Sequence, residues 1–263
     1  MIFFNKKKSS LIGIDLGSTT IKIVEIQRDN SQPQLVTYGL TEKSQIDNPQ
    51  KDQEQVIKDL QNVITKARTV TDRVISALPA SSVFSTIIEL PTMPKKEIAS
   101  AIQWEAKKLI PLPLAKMSLS WDVLPQPSQT DTQKAKKVRI ILTAAPKETI
   151  DYYLALFKYT NLNLVGLETE ITALRRSLIP NQEGTFMIID IGVANTNMMT
   201  FFQSLPLVNR NIDVGGKTIT TNIADTMNID EERAEKFRDD FGLPTDEGFT
   251  HPVAKTVKFV LDN

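Results

Sequence analysis

A hairpin with an acid at its mouth constrains this chain more than any other stretch of its sequence. Residues 11–26 have the sequence LIGIDLGSTTIKIVEI, in which an apolar run ends at Asp15, a small-residue turn follows, and isoleucines then resume. This pattern predicts two antiparallel strands. The turn consists of Gly17, Ser18, Thr19 and Thr20.

Such a turn leaves backbone N–H groups uncovered and adds hydroxyl donors, so it can hold a phosphate group. Asp15 is then placed to bind a divalent cation that neutralises the phosphate charge. A purely structural hairpin needs the same residue types, because glycine supplies positive φ and small polar residues cap turns. The first hairpin alone therefore leaves both interpretations open.

The chain repeats this arrangement once. Residues 186–202, FMIIDIGVANTNMMTFF, place Asp190 after an apolar run and before a turn that contains Gly192, Asn195 and Thr196. A third strand-like run follows each hairpin, at residues 34–40 and 205–213. Two such meanders predict two similar lobes that face one phosphate, with one acid from each lobe on the metal. The alternative is a duplication without a ligand.

Composition excludes several other functions. Lysine plus arginine equals aspartate plus glutamate at 31 each, so no net field favours nucleic acid as a partner. The absence of cysteine excludes disulfides and thiol catalysis, and it suits a cytoplasmic protein. The single histidine, His251, cannot form a multi-histidine zinc site. The short apolar start before Lys6, Lys7 and Lys8 is not a signal peptide.

The region between the two hairpins divides into a sheet extension and an insertion. Apolar residues at helical spacing over residues 56–67 and a short run at 74–78 predict a helix and a strand, which complete a mixed sheet covered on one side. From residue 83 the pattern predicts a β-α-β-β-α block: strands at 83–90, 118–124 and 137–145, helices through Ile98 to Leu109 and through Ile150 to Phe157, and a polar loop at 125–135. The block contains no paired acids and no glycine-rich turn.

Trp104 lies off the apolar face of the first of these helices. It could contact a partner, or it could pack against the strand predicted at 118–124.

The segment after the second meander carries a glycine pair. Gly215 and Gly216 precede a helix predicted at residues 218–227, where they would let backbone approach a ligand and the helix N-terminus would attract an anion. Asp230 then caps a helix at 231–241. On that helix Glu235 and Arg238 could form an ordinary ion pair, or could contact a ribose.

Four segments in this order, IDLGSTTIK, IIDIGVANT, DVGGKTIT and AEKFRDDFG, resemble the phosphate- and ribose-contacting segments of the actin-like ATPase superfamily. Within its FtsA-like branch the chain is most similar to the PilM family of type IV pilus assembly proteins. WEAKKLIPLP and the run from AAPKETIDYY to ITALRRSL resemble that family's inserted 1C subdomain and its return to the first lobe. The resemblance covers nearly the whole chain.

The resemblance implies a role for each site residue. Asp15, Gly17, Ser18, Thr19, Thr20 and Lys22 would surround the phosphates, with Asp190, Gly192 and Thr196 opposite them, Gly215 and Gly216 near the nucleotide, and Glu235 and Arg238 at the ribose. Asp15 and Asp190 would bind Mg²⁺ with ATP. Related FtsA-type helices usually have lysine where this chain has Arg238, which keeps the charge and changes the shape.

The predicted fold is α/β, an actin-like (ribonuclease-H-like) two-lobed fold with an inserted subdomain. Residues 1–82 with 167–185 would form the 1A-like core, 83–166 the 1C-like insertion, and 186–263 a 2A/2B-like second lobe. We expect that lobe to be incomplete, because the sequence stops at Asn263, before the family's glycine-rich adenine-binding loop. The 263 residues alone are accordingly expected to bind nucleotide poorly.

The resemblance implies a cytoplasmic, ATP-binding scaffold that is at most a slow ATPase. It would act at the inner face of the cytoplasmic membrane, bind the short cytoplasmic tail of the membrane protein PilN, and link PilN to the pilus motor ATPases. The implied tail is mainly apolar, and self-association is left open. The alternatives are a small-molecule kinase of the same superfamily and an FtsA-like division protein that polymerises on membrane.

Overall fold

The structure is a computed structural model that describes residues 10–29, 32–42, 53–110, 112–124, 137–179, 184–202 and 205–241. The three lysines near the start, the loop predicted at 125–135 and His251 lie outside the described residues. The chain forms two compact units. Unit 1 comprises Met1–Thr185 and Phe201–Leu207, and unit 2 comprises Phe186–Thr200 and Val208–Asn263.

The strands and helices predicted from the apolar patterns are present, together with a strand and a helix within residues 163–178 that those patterns did not predict. The strands are β1 (Ser10–Leu16), β2 (Thr20–Asp29), β3 (Gln32–Glu42), β4 (Arg73–Leu78), β5 (Phe84–Pro91), β6 (Met117–Val123), β7 (Lys137–Pro146), β8 (Asn163–Thr169), β9 (Thr185–Ile191), β10 (Thr196–Phe202) and β11 (Leu205–Ile212). The helices are α1 (Gln53–Ala67), α2 (Lys95–Leu109), α3 (Lys147–Tyr159), α4 (Glu170–Leu178), α5 (Gly216–Met227) and α6 (Glu231–Phe241).

Unit 1 is built on a five-stranded mixed sheet with the order β3-β2-β1-β4-β8. β2 pairs antiparallel with β1 and with β3, whereas β4 pairs parallel with β1 and with β8. One face of the sheet is apolar and buried, with Ile12, Ile14, Ile21 and Ile23 packed against α1. The mixed, one-side-covered sheet predicted from the sequence is confirmed.

The insertion has a sheet and a core of its own. Its strands have the order β5-β7-β6, and all of them are antiparallel. α2 packs on this sheet because its apolar residues recur at helical spacing, so that Ile102, Ala106 and Ile110 are buried with Ile140 and Leu142.

α3 packs differently from the sequence prediction. Tyr153, Leu156 and Phe157 of this helix lie in the core of the five-stranded sheet, together with residues of α1. β8, which follows α3, is the edge strand of the same sheet. By its packing α3 therefore belongs with the first sheet, and the core of the insertion comprises only β5, α2, β6 and β7.

The second sheet lies mostly in unit 2, which also contains a helix pair. The sheet has the order β11-β10-β9, so the second meander is confirmed. Met199 and Phe201 are buried from β10, and the buried amide of Asn197 accepts a hydrogen bond from Asn211 Nδ2 at 2.7 Å. α5 and α6 pack through a small core of Ile223, Ala224 and Ala234.

Among the described residues, no helix combines the length and the apolar character needed to span a bilayer.

A pair of strand glycines tests how tightly α1 packs on the first sheet. A Cβ at Gly39 would meet Val63 Cγ2 at 2.8 Å, whereas a Cβ at Gly13 would meet nothing closer than the Val24 carbonyl at 3.8 Å. We expect Gly39→Ala to lower the free energy of unfolding by about 1–3 kcal/mol, because valine cannot swing aside. Gly13→Ala should be neutral or stabilising by up to about 1 kcal/mol. Urea titrations of the two variants measure the difference, and equal stabilities would contradict the packing.

Candidate functional site

The first hairpin gathers its predicted residues at one end of the central strand. The β1–β2 register runs to Leu16 opposite Ile21, so the turn lies directly beyond that pair. A Cβ at Gly17 would come within 3.1 Å of the Thr20 carbonyl oxygen, so a larger residue there would require the turn to shift by a few tenths of an ångström. Ser18 and Thr19 are exposed at the tip. The turn therefore presents its polar groups to solvent.

Asp15 and Lys22 face each other across this hairpin. They are register partners, and Lys22 Nζ lies 3.5 Å from Asp15 Oδ2. Both side chains are about half exposed, so the pair is worth at most about 1 kcal/mol and either partner can exchange the other for a ligand. A carboxylate for a cation and an ammonium for a phosphate are thus held side by side.

A second carboxylate, Glu170, lies at the same end of the strands as Asp15. The strands β1, β4 and β8 are parallel, so their carboxyl ends meet there, and Glu170 follows β8 directly. Glu170 Oε2 accepts a hydrogen bond from the backbone N–H of Ala80, just beyond β4, at 2.9 Å. Sequence analysis missed this residue, although its place immediately after a strand could have indicated it.

The pKa of the buried Tyr153 phenol depends on the charges at this end of the strands. Burial is the main cause that raises its pKa, and negative charge at Glu170, Tyr152 and Asp15 raises the pKa further. The phenol therefore stays protonated at neutral pH, and its pKa is sensitive to the carboxylates of both Glu170 and Asp15.

The second hairpin is closed by its own backbone. Gly192 N–H donates to the Asn195 carbonyl oxygen at 2.9 Å, and a Cβ at Gly192 would lie 3.0 Å from that oxygen. Thr196 Oγ1 donates to the carbonyl of Val214 at 2.7 Å, which ties the hairpin to the segment before α5. Asp190 is half-buried, two residues before the turn glycine. The hairpin thus repeats the first in outline, with its threonine hydroxyl bonded to the protein.

The glycine pair at the start of α5 packs closely against the backbone of the second hairpin. A Cβ at Gly215 would lie 2.5 Å from the Val193 carbonyl oxygen and 2.7 Å from that of Gly192, so only glycine fits. The amides of Gly216 and Lys217 donate to the same two carbonyls, both at 2.9 Å. The expectation that the N-terminus of this helix is free to bind an anion is therefore wrong for its first two amides. Contacts of Gly215 and Gly216 with a nucleotide stay a prediction.

Arg238 braces α6 against α5. Its Nη1 donates to the Gly216 carbonyl at 3.1 Å and to Thr220 Oγ1 at 2.7 Å. Its Nη2 lies 3.3 Å from Glu235 Oε1, and Asp239 Oδ1 accepts from both Nε and Nη2. The ion pair weighed from the sequence is present, and the guanidinium is largely committed within the protein. Glu235 remains exposed, and its contact with a ribose stays a prediction.

No group of three or more His, Cys, Asp or Glu side chains assembles as a metal site in the part of the chain that the structure describes. Magnesium that accompanies a nucleotide usually takes one or two protein carboxylates and completes its shell with phosphate oxygens and water. Asp15 on the first hairpin and Asp190 on the second are each a carboxylate of this kind.

Comparison with known proteins agrees with this architecture. The model of the family "Type IV pilus assembly protein PilM" matches residues 13–258. A solved "PilM-PilN type IV pilus biogenesis complex" contains a chain that is 23% identical, with a TM-score of 0.76; the match covers 97% of this chain and 74% of that one. The ethanolamine utilization protein EutJ from Carboxydothermus hydrogenoformans is 16% identical, with a TM-score of 0.57 and coverage of 97% and 68%.

The mixed sheet with its insertion, the repeated acid-bearing hairpin and these structural neighbours define an actin-like ATPase fold. The match over residues 13–258 goes further: the chain belongs to the PilM family of type IV pilus assembly proteins.

The Arg238 brace predicts a local stability effect in unit 2. Arg238→Ala removes two hydrogen bonds to α5, so we expect it to lower the free energy of unfolding by about 1–2 kcal/mol and to speed hydrogen exchange in α5. Arg238→Lys should recover only part of this, because an ammonium lacks the guanidinium's fork of donors. Arg233→Ala is the control: Arg233 is exposed and forms a solvent-exposed ion pair with Asp230, so its loss should cost less than about 0.5 kcal/mol. Similar exchange rates in the alanine variants of Arg238 and Arg233 would rule the brace out.

Proposed function

We propose that this chain is an ATP-binding scaffold of type IV pilus assembly that acts at the inner face of the cytoplasmic membrane. It binds the cytoplasmic tail of a PilN-type membrane protein and links that protein to the pilus motor ATPases. The observation that carries the proposal is the PilM family match over residues 13–258, which spans both hairpins and the insertion. Membership in an assembly family favours a scaffold that turns ATP over slowly, if at all, over a small-molecule kinase.

In this proposal each hairpin supplies one carboxylate and a set of small donors. Asp15 and Asp190 bind Mg²⁺, and the turn residues Gly17, Ser18, Thr19 and Thr20, together with Lys22, hold the phosphates. The exposed turn of the first hairpin and the Asp15–Lys22 pair support this assignment. Gly192, Thr196, Gly215 and Gly216 shape the second side of the site, and Glu235 contacts the ribose. Magnesium, when bound, would neutralise phosphate charge.

The Thr196 hydroxyl and the Arg238 guanidinium are bonded within the protein, so we assign them to shaping the site rather than to gripping the nucleotide directly. Arg238 reaches the Gly216 carbonyl, so it holds the glycine segment in place.

The nucleotide site predicts that Asp15→Ala and Asp190→Ala each weaken ATP–Mg²⁺ binding by about tenfold or more, because each change leaves phosphate charge uncompensated. Asp122→Ala is the control, since Asp122 is an exposed acid on the insertion sheet. Saturation-transfer NMR measures the ratio of dissociation constants even where binding is weak. Equal ATP binding by the unchanged chain and all three variants would contradict the proposed nucleotide site.

Binding of the partner's tail gives a further prediction, in which the affinities for tail and nucleotide are coupled. The insertion and the first sheet adjoin through Val83 and Ala145 in one core and Ala144 in the other, and we place the PilN-type tail at this junction. If tail and nucleotide both respond to the same rearrangement, their coupling free energy is reciprocal. We expect ATP–Mg²⁺ to change the affinity of a fluorescent tail peptide by roughly fivefold or more, and Asp190→Ala to abolish the change.

Fluorescence anisotropy with and without ATP–Mg²⁺ measures this shift. A tail affinity that does not change with nucleotide would indicate that the protein is a passive adaptor. Rapid ATP turnover without the tail would favour the kinase alternative.

A further inference from the structure

The outward side of α2 is an exposed surface that the proposed function does not use. We call it the α2-end patch; it consists of Trp104, Lys107 and Lys108, all of which are exposed. Trp104 is 66% exposed. The interpretation of Trp104 as packed against the neighbouring strand is therefore wrong.

The exposure of Trp104 is fixed by the core on the opposite side of the helix. Ile102, Ala106 and Ile110 are at most 6% exposed, and they pack on the insertion sheet. Helical geometry places Trp104 about 160° around the helix axis from Ile102 and, in the other direction, about 160° from Ala106. Turning the indole inward would expose that buried row, so the indole stays at the surface.

The charge in and near the patch is net positive. Residues 103–116 carry three lysines and one glutamate in a chain of zero net charge. Glu105 Oε1 lies 2.7 Å from Lys108 Nζ, while Lys107 and Lys116 are exposed. Lys147 adds a fourth ammonium, whose Nζ donates to the Ala115 carbonyl at 2.9 Å. The patch therefore attracts anions.

Trp104 and Lys108 also contact each other directly. Lys108 Nζ lies 5.6 Å from the centroid of the indole, within cation–π range. A lysine that rests on an indole can keep its ammonium in water while the ring enters an apolar layer, because the flexible stem snorkels.

This combination matches the chemistry of an anionic bilayer surface. Tryptophan prefers the depth of the lipid headgroups, and each lysine near an anionic leaflet gains roughly 1 kcal/mol. The exposed part of Trp104 amounts to on the order of 150 Å². That area is far below the ~800 Å² that each partner contributes to a stable protein interface.

We propose that the α2-end patch binds the anionic surface of a membrane directly and weakly. The inference goes beyond the proposed function, which brings the chain to the membrane only through its partner. A weak lipid contact adds to tail binding, because two tethered contacts reinforce each other through effective concentration. It also orients the insertion toward the bilayer.

The first test reads the environment of Trp104. The chain has two tryptophans, so Trp121→Phe leaves Trp104 as the only indole. Without any tail peptide, phosphatidylcholine vesicles that contain phosphatidylglycerol should shift its emission to the blue. Vesicles of phosphatidylcholine alone should leave the emission unchanged, and high salt should reverse the shift.

The second test measures vesicle flotation of variants of the 263-residue chain. Trp104→Ala should lower the partition coefficient, and Lys107→Gln with Lys108→Gln should lower it about 25-fold, or fivefold per lysine. The control is Lys58→Gln with Lys66→Gln, two exposed lysines of α1, which should bind like the unchanged chain. Thermal unfolding should be the same for all of these exposed-site variants.

Three results would overturn the proposal. The first is flotation of the Trp104→Ala protein equal to that of the unchanged chain, and the second is an emission that is the same with both vesicle types. The third is a blue shift that increases with protein concentration in the absence of vesicles. The last would identify a second copy of the chain as the occupant. Because no tail or nucleotide is present, failure of the proposed function leaves these outcomes unchanged.

Discussion

The five-stranded sheet of unit 1 depends on the pairing of β1 on both of its edges. β2 pairs with it antiparallel through seven register partners, and β4 pairs with it parallel. Ser76 Oγ adds a buried hydrogen bond to the Ile14 carbonyl at 2.9 Å. A slip of one residue would move Ile12 and Ile14 from the core to the opposite face, so burial holds the register. The position of Asp15 at the end of the central strand follows from this constraint.

Apolar spacing and glycine turns were enough to predict both meanders, the mixed sheet and most helices, because these patterns are local along the chain. They were not enough where a partner lies far away in sequence. Glu25 occupies the buried row of β2 beyond Ile23, while Ile26 is 44% exposed. The sheet shifts register between these two residues. Buried Glu25 accepts hydrogen bonds from the Ser10 hydroxyl and from the Val70 amide, partners that no spacing rule reveals.

The candidate site shows the same limit. The acids and turn residues could be proposed from the sequence because each hairpin is a contiguous motif, and the repeat made the motif more specific. Glu170 was missed because it joins that end of the sheet only through β4, which pairs parallel with β1, about 60 residues earlier, and with β8, about 90 residues later. Gly215 was noticed, but its closest contact is the backbone of the neighbouring hairpin, which only three-dimensional packing could show.

The insertion is joined to the first sheet by two short connections of different kinds. On one side β4 passes through a 3₁₀ turn at Ala80–Ser82 to β5, and that turn is anchored by Glu170. On the other side β7 ends at Pro146 and α3 begins at the next residue, with no loop between them. Because α3 is packed in the core of the first sheet, a mechanical load on the insertion passes straight into that core. A displacement of the insertion sheet is therefore transmitted to α3 with no flexible joint between them.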